Sequence, residues 1–284
     1  MIPAGAFQSF EIIAYKDGHP PLKKRDRVSS EEPLEIRLLA GPKGKPQSHP
    51  LTLTMRTPGQ DYELAAGLLY AEGIIRRPDD IGKMTYCVGA DKSSQQYNVL
   101  QVRLNPRISP DFKNLARFSI SNASCGLCGK VQIEQLQQSI YPDFSAGSPQ
   151  ITPQFVYSLQ KRLQGQQKLF ERTGGAHAAA LFNTAGECLQ VCEDIGRHNA
   201  LDKLVGHFLL TDKLPLIQHI LFLSGRASFE MVQKSLIANI PIIACVGAPS
   251  SLAIDLAQSY QQTLIGFLSD QRFNVYSGAE RIRS

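Results

Sequence analysis

Two patterns of apolar and polar positions divide this chain. In the first part, residues 9–15, 34–40 and 50–56 carry the apolar and β-branched content of strands. Pro58-Gly59-Gln60-Asp61 then opens a helix in which Leu64, Leu68, Leu69 and Ile75 repeat on one face. Strand character resumes over residues 83–89 and 97–104, on either side of the polar turn 90–96. Residues 130–140 read as a helix, with Val131, Ile133, Leu136 and Ile140 apolar. The Pro-, Gly- and Ser-rich stretch 141–149 reads as a linker.

After the linker, short apolar runs at residues 178–182, 188–192, 220–223, 242–246 and 264–268 are separated by helical stretches at 195–209, 226–238 and 250–260. That alternation predicts an α/β sandwich on a mostly parallel sheet. The expected organisation is a smaller β-rich N-terminal region over residues 1–145 and the sandwich over residues 150–284. The chain is α/β in its larger part and α+β overall.

Composition narrows the function classes. Hydrophobic residues make up 43% and charged residues 19% of 284 positions, an ordinary globular balance. No apolar run reaches the ~18 residues that span a bilayer. Met1-Ile2-Pro3-Ala4-Gly5-Ala6-Phe7 lacks the basic and apolar regions of a secretory leader, so a cytoplasmic location is expected. The net charge of +5 is mild, and Lys23-Lys24-Arg25-Asp26-Arg27 is short, broken by an acid and reads as a solvated loop. No basic stripe with interleaved aromatics marks a nucleic-acid surface. Such a charge suits an anionic ligand such as a phosphate ester.

The strongest chemical feature is Ser124-Cys125-Gly126-Leu127-Cys128-Gly129-Lys130. Two intervening residues let both thiols of Cys125 and Cys128 face one place, and the glycines permit a sharp bend. Lys130 and a helix start near Gly129 would favour the reactive thiolate. Half of a structural zinc site, a structural disulfide and a thioredoxin-type redox pair are competing readings. Zinc needs two further ligands. Cys87 and Cys245 lie in apolar strands, where free cysteine acts as a small hydrophobe. Cys188 and Cys192 would share one face of an extended strand at ~13 Å, too far apart for one metal. A zinc deaminase also uses a CxxC, but its H-x-E is absent at His177-Ala178-Ala179, and His177 follows the CxxC. No metal is expected.

Three polar turns precede or follow the apolar runs. Arg172-Thr173-Gly174-Gly175-Ala176-His177 leads into one strand. Glu193-Asp194-Ile195-Gly196-Arg197-His198-Asn199 opens a helix, with Asp194 a candidate N-cap. Leu201, Leu204, Val205 and Phe208 define that helix's apolar face, and Arg197 and His198 fall within roughly 60° of its centre. Ser224-Gly225-Arg226-Ala227-Ser228 places an arginine and hydroxyls at a further helix start, a competent phosphate site. Turns on one sheet predict one shared pocket.

These motifs together resemble the FdhD family, the formate dehydrogenase accessory sulfurtransferases. The resemblance rests on the CxxC segment, Thr173-Gly174-Gly175-Ala176-His177, the run from Glu193 to Lys203 and Ser224-Gly225-Arg226, in order over nearly the whole chain. It implies a cytidine-deaminase-like larger domain without deaminase chemistry, and homodimers. It implies that a cysteine desulfurase supplies sulfur as a persulfide on Cys125, with Cys128 assisting. The sulfur would pass to the bis(molybdopterin guanine dinucleotide) molybdenum cofactor for formate dehydrogenase, with GDP or another guanine nucleotide as a partial mimic. The family's cofactor segment falls on Phe273-Asn274-Val275-Tyr276-Ser277-Gly278, where Phe273 and Tyr276 offer rings for stacking. Gly225, Arg226, Arg197 and His198 are further candidates for cofactor contact. A non-catalytic cofactor chaperone and a dithiol redox protein stand as alternatives.

Overall fold

The computed structural model describes residues 2–41, 47–87, 97–108, 110, 142–144 and 147–283. Cys125, Cys128 and the helix expected over residues 130–140 lie outside the described residues. β1 (Phe7–Lys16) and β2 (His19–Ser29) form an antiparallel ribbon. β3 (Glu32–Ala40), β4 (Gln47–Arg56), β5 (Ile81–Tyr86) and β6 (Val99–Leu104) form a second sheet in the order β4-β3-β6-β5. β7 (His177–Asn183), β8 (Cys188–Asp194), β9 (His219–Leu223), β10 (Ile242–Cys245), β11 (Thr263–Gly266) and β12 (Asn274–Ser277) form a third in the order β12-β11-β10-β9-β7-β8.

The third sheet is the centre of an α/β/α sandwich. On one face Ala179, Leu181, Leu221, Leu223, Ile243 and Leu264 lie under α4 (Arg197–Leu210), α5 (Phe229–Ile237) and α6 (Ser251–Ser259). On the other, Ala180, Phe182, Ile220, Phe222, Ile242 and Ala244 meet Val156 and Leu159 of α2 (Pro153–Arg162). Every residue of β10 and β11 is buried. Strands covered on both faces read as unbroken apolar runs, which is why they are visible in the sequence. The sheet is mixed and not mostly parallel. Only the β9–β10 and β10–β11 pairs are parallel, whereas β7–β8, β7–β9 and β11–β12 are antiparallel. The chain returns from β7 to β8 and from β11 to β12 without a crossover helix, and short returns force antiparallel pairing.

The second sheet lays Leu34, Ile36, Leu38, Leu100 and Val102 against α1 (Asp61–Ala71). α1 in turn lies on α4, and two glycines set the distance. A Cβ on Gly67 would overlap the carbonyl of Asp202, and one on Gly206 would overlap the carbonyl of Glu63. The two backbones therefore touch, as only small residues allow. One apolar cluster runs from Leu34 and Leu64 through Leu201 to Leu223 and Ile243, so the core continues across the linker. Of the linker, Phe144 packs on this core and Asp143 N–H donates to Asn239 Oδ1 (2.7 Å).

Several local expectations change. Residues 19–29 are the strand β2 and not a solvated loop, although all but the last are exposed. An exposed ribbon strand has no apolar face to betray it, and Pro20-Pro21 reads as a breaker. α2 and α3 (Lys168–Thr173) were not anticipated from the pattern. Cys188 and Cys192 face opposite sides of the sheet, with Cys192 in the α4-side core and Cys188 against the α2-side core. The register steps from Leu181↔Gln190 to Phe182↔Cys188, leaving Leu189 as a bulge, and one extra residue reverses the alternation.

Candidate functional site

The parallel strands β9, β10 and β11 end at the edge of the sheet where β7 begins and β8 ends, because β7 is antiparallel to both its neighbours. The turns at 174–177, 194–198 and 224–228 therefore meet at one edge. This is the edge at which open α/β sheets hold ligands.

His177 opens β7, in register with Asp194. Gly225 leaves room beside it: a Cβ there would stand 3.1 Å from His177 Nδ1 and 3.9 Å from Arg197 Cδ. The next turn repeats the device. A Cβ on Gly247 would stand 2.9 Å from Arg226 Cγ and 3.1 Å from Gly225 O. The pairing of β9 with β10 continues through this turn, since Gly247 N–H donates to Gly225 O (3.0 Å) and Ser250 N–H to Ala227 O (3.0 Å). Arg226 therefore stands on extended chain. It does not open the helix as the sequence suggested, because α5 begins at Phe229.

The site is cationic. Arg226 is exposed and Arg197 half-buried. Neither belongs to an ion pair of the described residues. Arg197 Nε is buried with no hydrogen-bond partner. Ser228 is the N-cap of α5, yet its side chain makes no capping bond. Its Oγ lies 3.2 Å from His198 Nε2 instead, and Glu230 Oε2 lies 3.1 Å from the same nitrogen. Burial, with Lys234, Arg197 and His177 nearby, pushes His198 down to about 3. The ring is neutral at pH 7, so its contact with Glu230 is a hydrogen bond. Burial, then Arg197 and Arg226, also lowers His177, with Asp194 opposing. Guanidinium groups outside any ion pair, beside an uncapped helix start, are a donor set of the kind that suits an anion.

The rest of the Glu193–Lys203 motif faces inward. Asp194 is fully buried and pairs with the equally buried Lys203 (2.6 Å). Asp194 is not the N-cap of α4, which is Gly196. Its Oδ1 accepts from Gly196 N–H (2.8 Å) and Asn199 Nδ2 (3.1 Å), while Oδ2 accepts from Thr57 N–H (3.1 Å). Lys203 Nζ donates to Thr57 O (2.9 Å), Asn199 Nδ2 to Met55 O (2.8 Å), and Ile195 N–H to Thr57 Oγ1 (3.1 Å). The motif thus clamps the end of β4, and holds Arg197 and His198 outward at the start of α4.

The segment 273–278 divides. Asn274 pairs with Gly266 at the same sheet edge and is exposed. Tyr276 lies with its ring against Gly266, where a Cβ would stand 3.0 Å from Tyr276 Cε2 and 2.8 Å from Pro249 Cδ. Phe273 is not its stacking partner. Phe273 and Val275 pack on the α2-side core, with Phe273 5.1 Å from the Tyr157 ring, whereas Tyr276 packs on the opposite core. Ser277 and Gly278 lie toward the far edge, where Thr263 Oγ1 donates to Gly278 O (2.7 Å). Gly247 and Pro249 were missed. The signal at Gly247 is a glycine directly after an apolar run, much as Gly225 follows one after a single serine.

Burial raises the thiols of Cys188 and Cys192 to about 11 and of Cys245 to about 12. All three are poor nucleophiles at pH 7. Among the described residues no group of three or more His, Cys, Asp or Glu is placed to hold a metal ion. No helix of the described residues is long and apolar enough to cross a membrane. A cavity of about 490 Å³ opens beside β8, lined by Gln60, Lys168, Cys188, Gln190 and Glu193 and so distinct from the cationic edge. Glu193 there is occupied by the N–H groups of Leu169 and Phe170 (2.9 Å each).

Known proteins share this chain's sequence and its architecture. A Streptomyces coelicolor protein named sulfur carrier protein FdhD is 44% identical over 274 residues, 96% of this chain and 94% of its own. A Mycobacterium tuberculosis protein of the same name is 42% identical over 267 residues, 92% of this chain and 93% of its own. The crystal structure of a candidate formate dehydrogenase accessory protein from Desulfotalea psychrophila superposes with a TM-score of 0.72 at 23% identity, covering 98% of this chain and all of that one. The FdhD/NarQ family model matches residues 30–283, and the chain belongs to that family.

Proposed function

We propose that this chain is a sulfur carrier that serves formate dehydrogenase. Cys125 accepts sulfur from a cysteine desulfurase: its thiolate attacks the outer sulfur of the donor's persulfide, giving Cys125–S–SH and releasing the donor thiolate. No oxidant is needed. The sulfur goes to the bis(molybdopterin guanine dinucleotide) molybdenum cofactor, held as substrate at the cationic sheet edge. The protein acts in the cytoplasm as a homodimer, with Cys128 assisting release.

The observation that carries the cofactor reading is the convergence of His177, Arg197 and Arg226 at one edge beside the uncapped start of α5. Diphosphates of a guanine dinucleotide suit that donor set. Tyr276 stands three strands away from β9, about 14 Å at ~4.8 Å per strand, within the span of an extended dinucleotide. The high pKa values of Cys188, Cys192 and Cys245 leave them unsuited to carry sulfur.

Intact mass after incubation with a cysteine desulfurase and cysteine tests the carrier role. One added sulfur, ~32 Da on a reactive thiolate, is expected on the wild type, on Cys87→Ala and on Cys245→Ala, and none on Cys125→Ala. Labelling retained in Cys125→Ala would remove Cys125 from the role. Guanine-nucleotide binding without any sulfur loading would favour a non-catalytic cofactor chaperone.

A further inference from the structure

We propose that His177 is a proton-linked arm of the anion site: neutral when the site is empty, and protonated when a diphosphate binds between Arg197 and Arg226. The inference rests on the reading of this edge as a guanine-nucleotide site. The step is E–His + ligand + H⁺ ⇌ E–HisH⁺·ligand, with the proton taken from solvent.

The geometry puts the ring where this must happen. The His177 ring lies close over Gly225, where a Cβ would stand 3.1 Å from Nδ1, and the stem of Arg197 approaches the same point at 3.9 Å, so ring and guanidinium stem share the sheet edge. The charged groups that face the ring are Arg197 of α4, Arg226 of the turn before α5 and Asp194 at the end of β8. His198, on the first turn of α4, also interacts with it but is neutral. Asp194 is committed to Lys203, Thr57, Gly196 and Asn199. Burial first, and then the two arginines, therefore hold the ring in its neutral form, below the usual histidine range. An anion of two or more negative charges between them reverses that field. The imidazolium then adds a third cation, and the site gains most for the ligand with most charge. The same site should rank GDP above GMP more steeply at pH 6 than at pH 8.

The sign follows from linkage. The bound-state pKa exceeds the free-state pKa, so affinity is highest below the free value. It falls as pH rises through the window between the two and is level above the bound value. A difference of about one pH unit between free and bound states corresponds to about a tenfold change in affinity.

Calorimetry of GDP binding at pH 6.5 in two buffers of different ionisation enthalpy measures proton uptake directly. The difference between wild type and His177→Asn cancels the nucleotide's own phosphate ionisation. We expect wild type to take up more protons than the variant, and about five- to tenfold of wild-type affinity to be lost between about pH 6 and 8 beyond any loss in the variant. A histidine NMR titration of the wild type with and without GDP gives a second readout, in which the His177 pKa should rise on binding. GDP binding with equal proton uptake in both proteins, or an unmoved His177 titration, would overturn the inference. Absence of GDP binding by the wild type would instead overturn the nucleotide reading beneath it.

Discussion

Two sets of ionisable side chains sit within eleven residues of one another along the chain. Asp194, Asp202 and Lys203 are buried, and each is matched: Asp194 with Lys203, Asp202 with Lys234 (2.5 Å). Arg197 and His198 lie between them in sequence, half-buried and turned to the sheet edge. The inner set is expensive to disturb and is almost wholly shielded from solvent. In the outer set Arg197 Nε has no hydrogen-bond partner, while His198 is held by Ser228 and Glu230. Position separates these roles: Arg197 and His198 stand on the first turn of α4 at the sheet edge, whereas Asp202 and Lys203 lie deeper along the helix and Asp194 ends β8.

That contrast can be broken at its inner side with the largest effect. Lys203→Ala leaves Asp194 charged and buried without its partner, and should cost about 3–5 kcal/mol of unfolding free energy. Lys203→Met with Asp194→Asn should cost clearly less. Urea denaturation of the three proteins measures both, and an equal loss in single and double variants would contradict the pairing.

The helix seam comes next. Gly67→Ala forces a methyl into the Asp202 carbonyl, and overpacking of this kind costs about 1–3 kcal/mol. Thermal unfolding should fall by several degrees without change in GDP affinity at lower temperature. The exposed arginine of the sheet edge should respond in the opposite sense. Arg226→Ala should leave stability within about 0.5 kcal/mol, while GDP affinity falls about tenfold or more, the size of one charge-assisted contact. Unchanged affinity would take Arg226 out of the site.

The smallest effect is on pH. Burial raises Glu72 to about 7, with Lys234 opposing and Asp202 and Glu230 adding to the rise. Its folded pKa lies above its unfolded value, so its protonated form favours folding. Stability should decline as pH rises from about 4.5 to about 7 and then level off. Glu72→Gln should flatten that slope, which thermal unfolding followed across this pH range measures.

How far the sequence discloses all this depends on what each element buries. β9, β10 and β11 announce themselves because both faces are covered, and α4 because its apolar face repeats. β2 stays hidden because it buries almost nothing. The bulge at Leu189 is a register event, invisible to any count of alternating positions, and it alone reversed the reading of Cys188 and Cys192. At the site, the glycine-plus-cation turns were legible since a glycine after an apolar run has a steric reason. The division of Phe273 from Tyr276 was legible too, since residues three apart on an extended segment face opposite sides of the sheet, and a stacked pair overlooked that alternation.

The contact of Gly67 and Gly206 also bears on how the chain is made. During synthesis the β3–β6 sheet and α1 emerge before α4 exists, so Leu64 and its neighbours have no second wall until residue 210 has been released. The early half must wait, partly uncovered, for the late half. A chain begun at residue 150 would face the mirror problem, with the α1-facing side of α4 open to water and to other copies of itself. The two halves share one apolar cluster, so the interval between the two helices is when exposed apolar surface favours aggregation of the nascent chain.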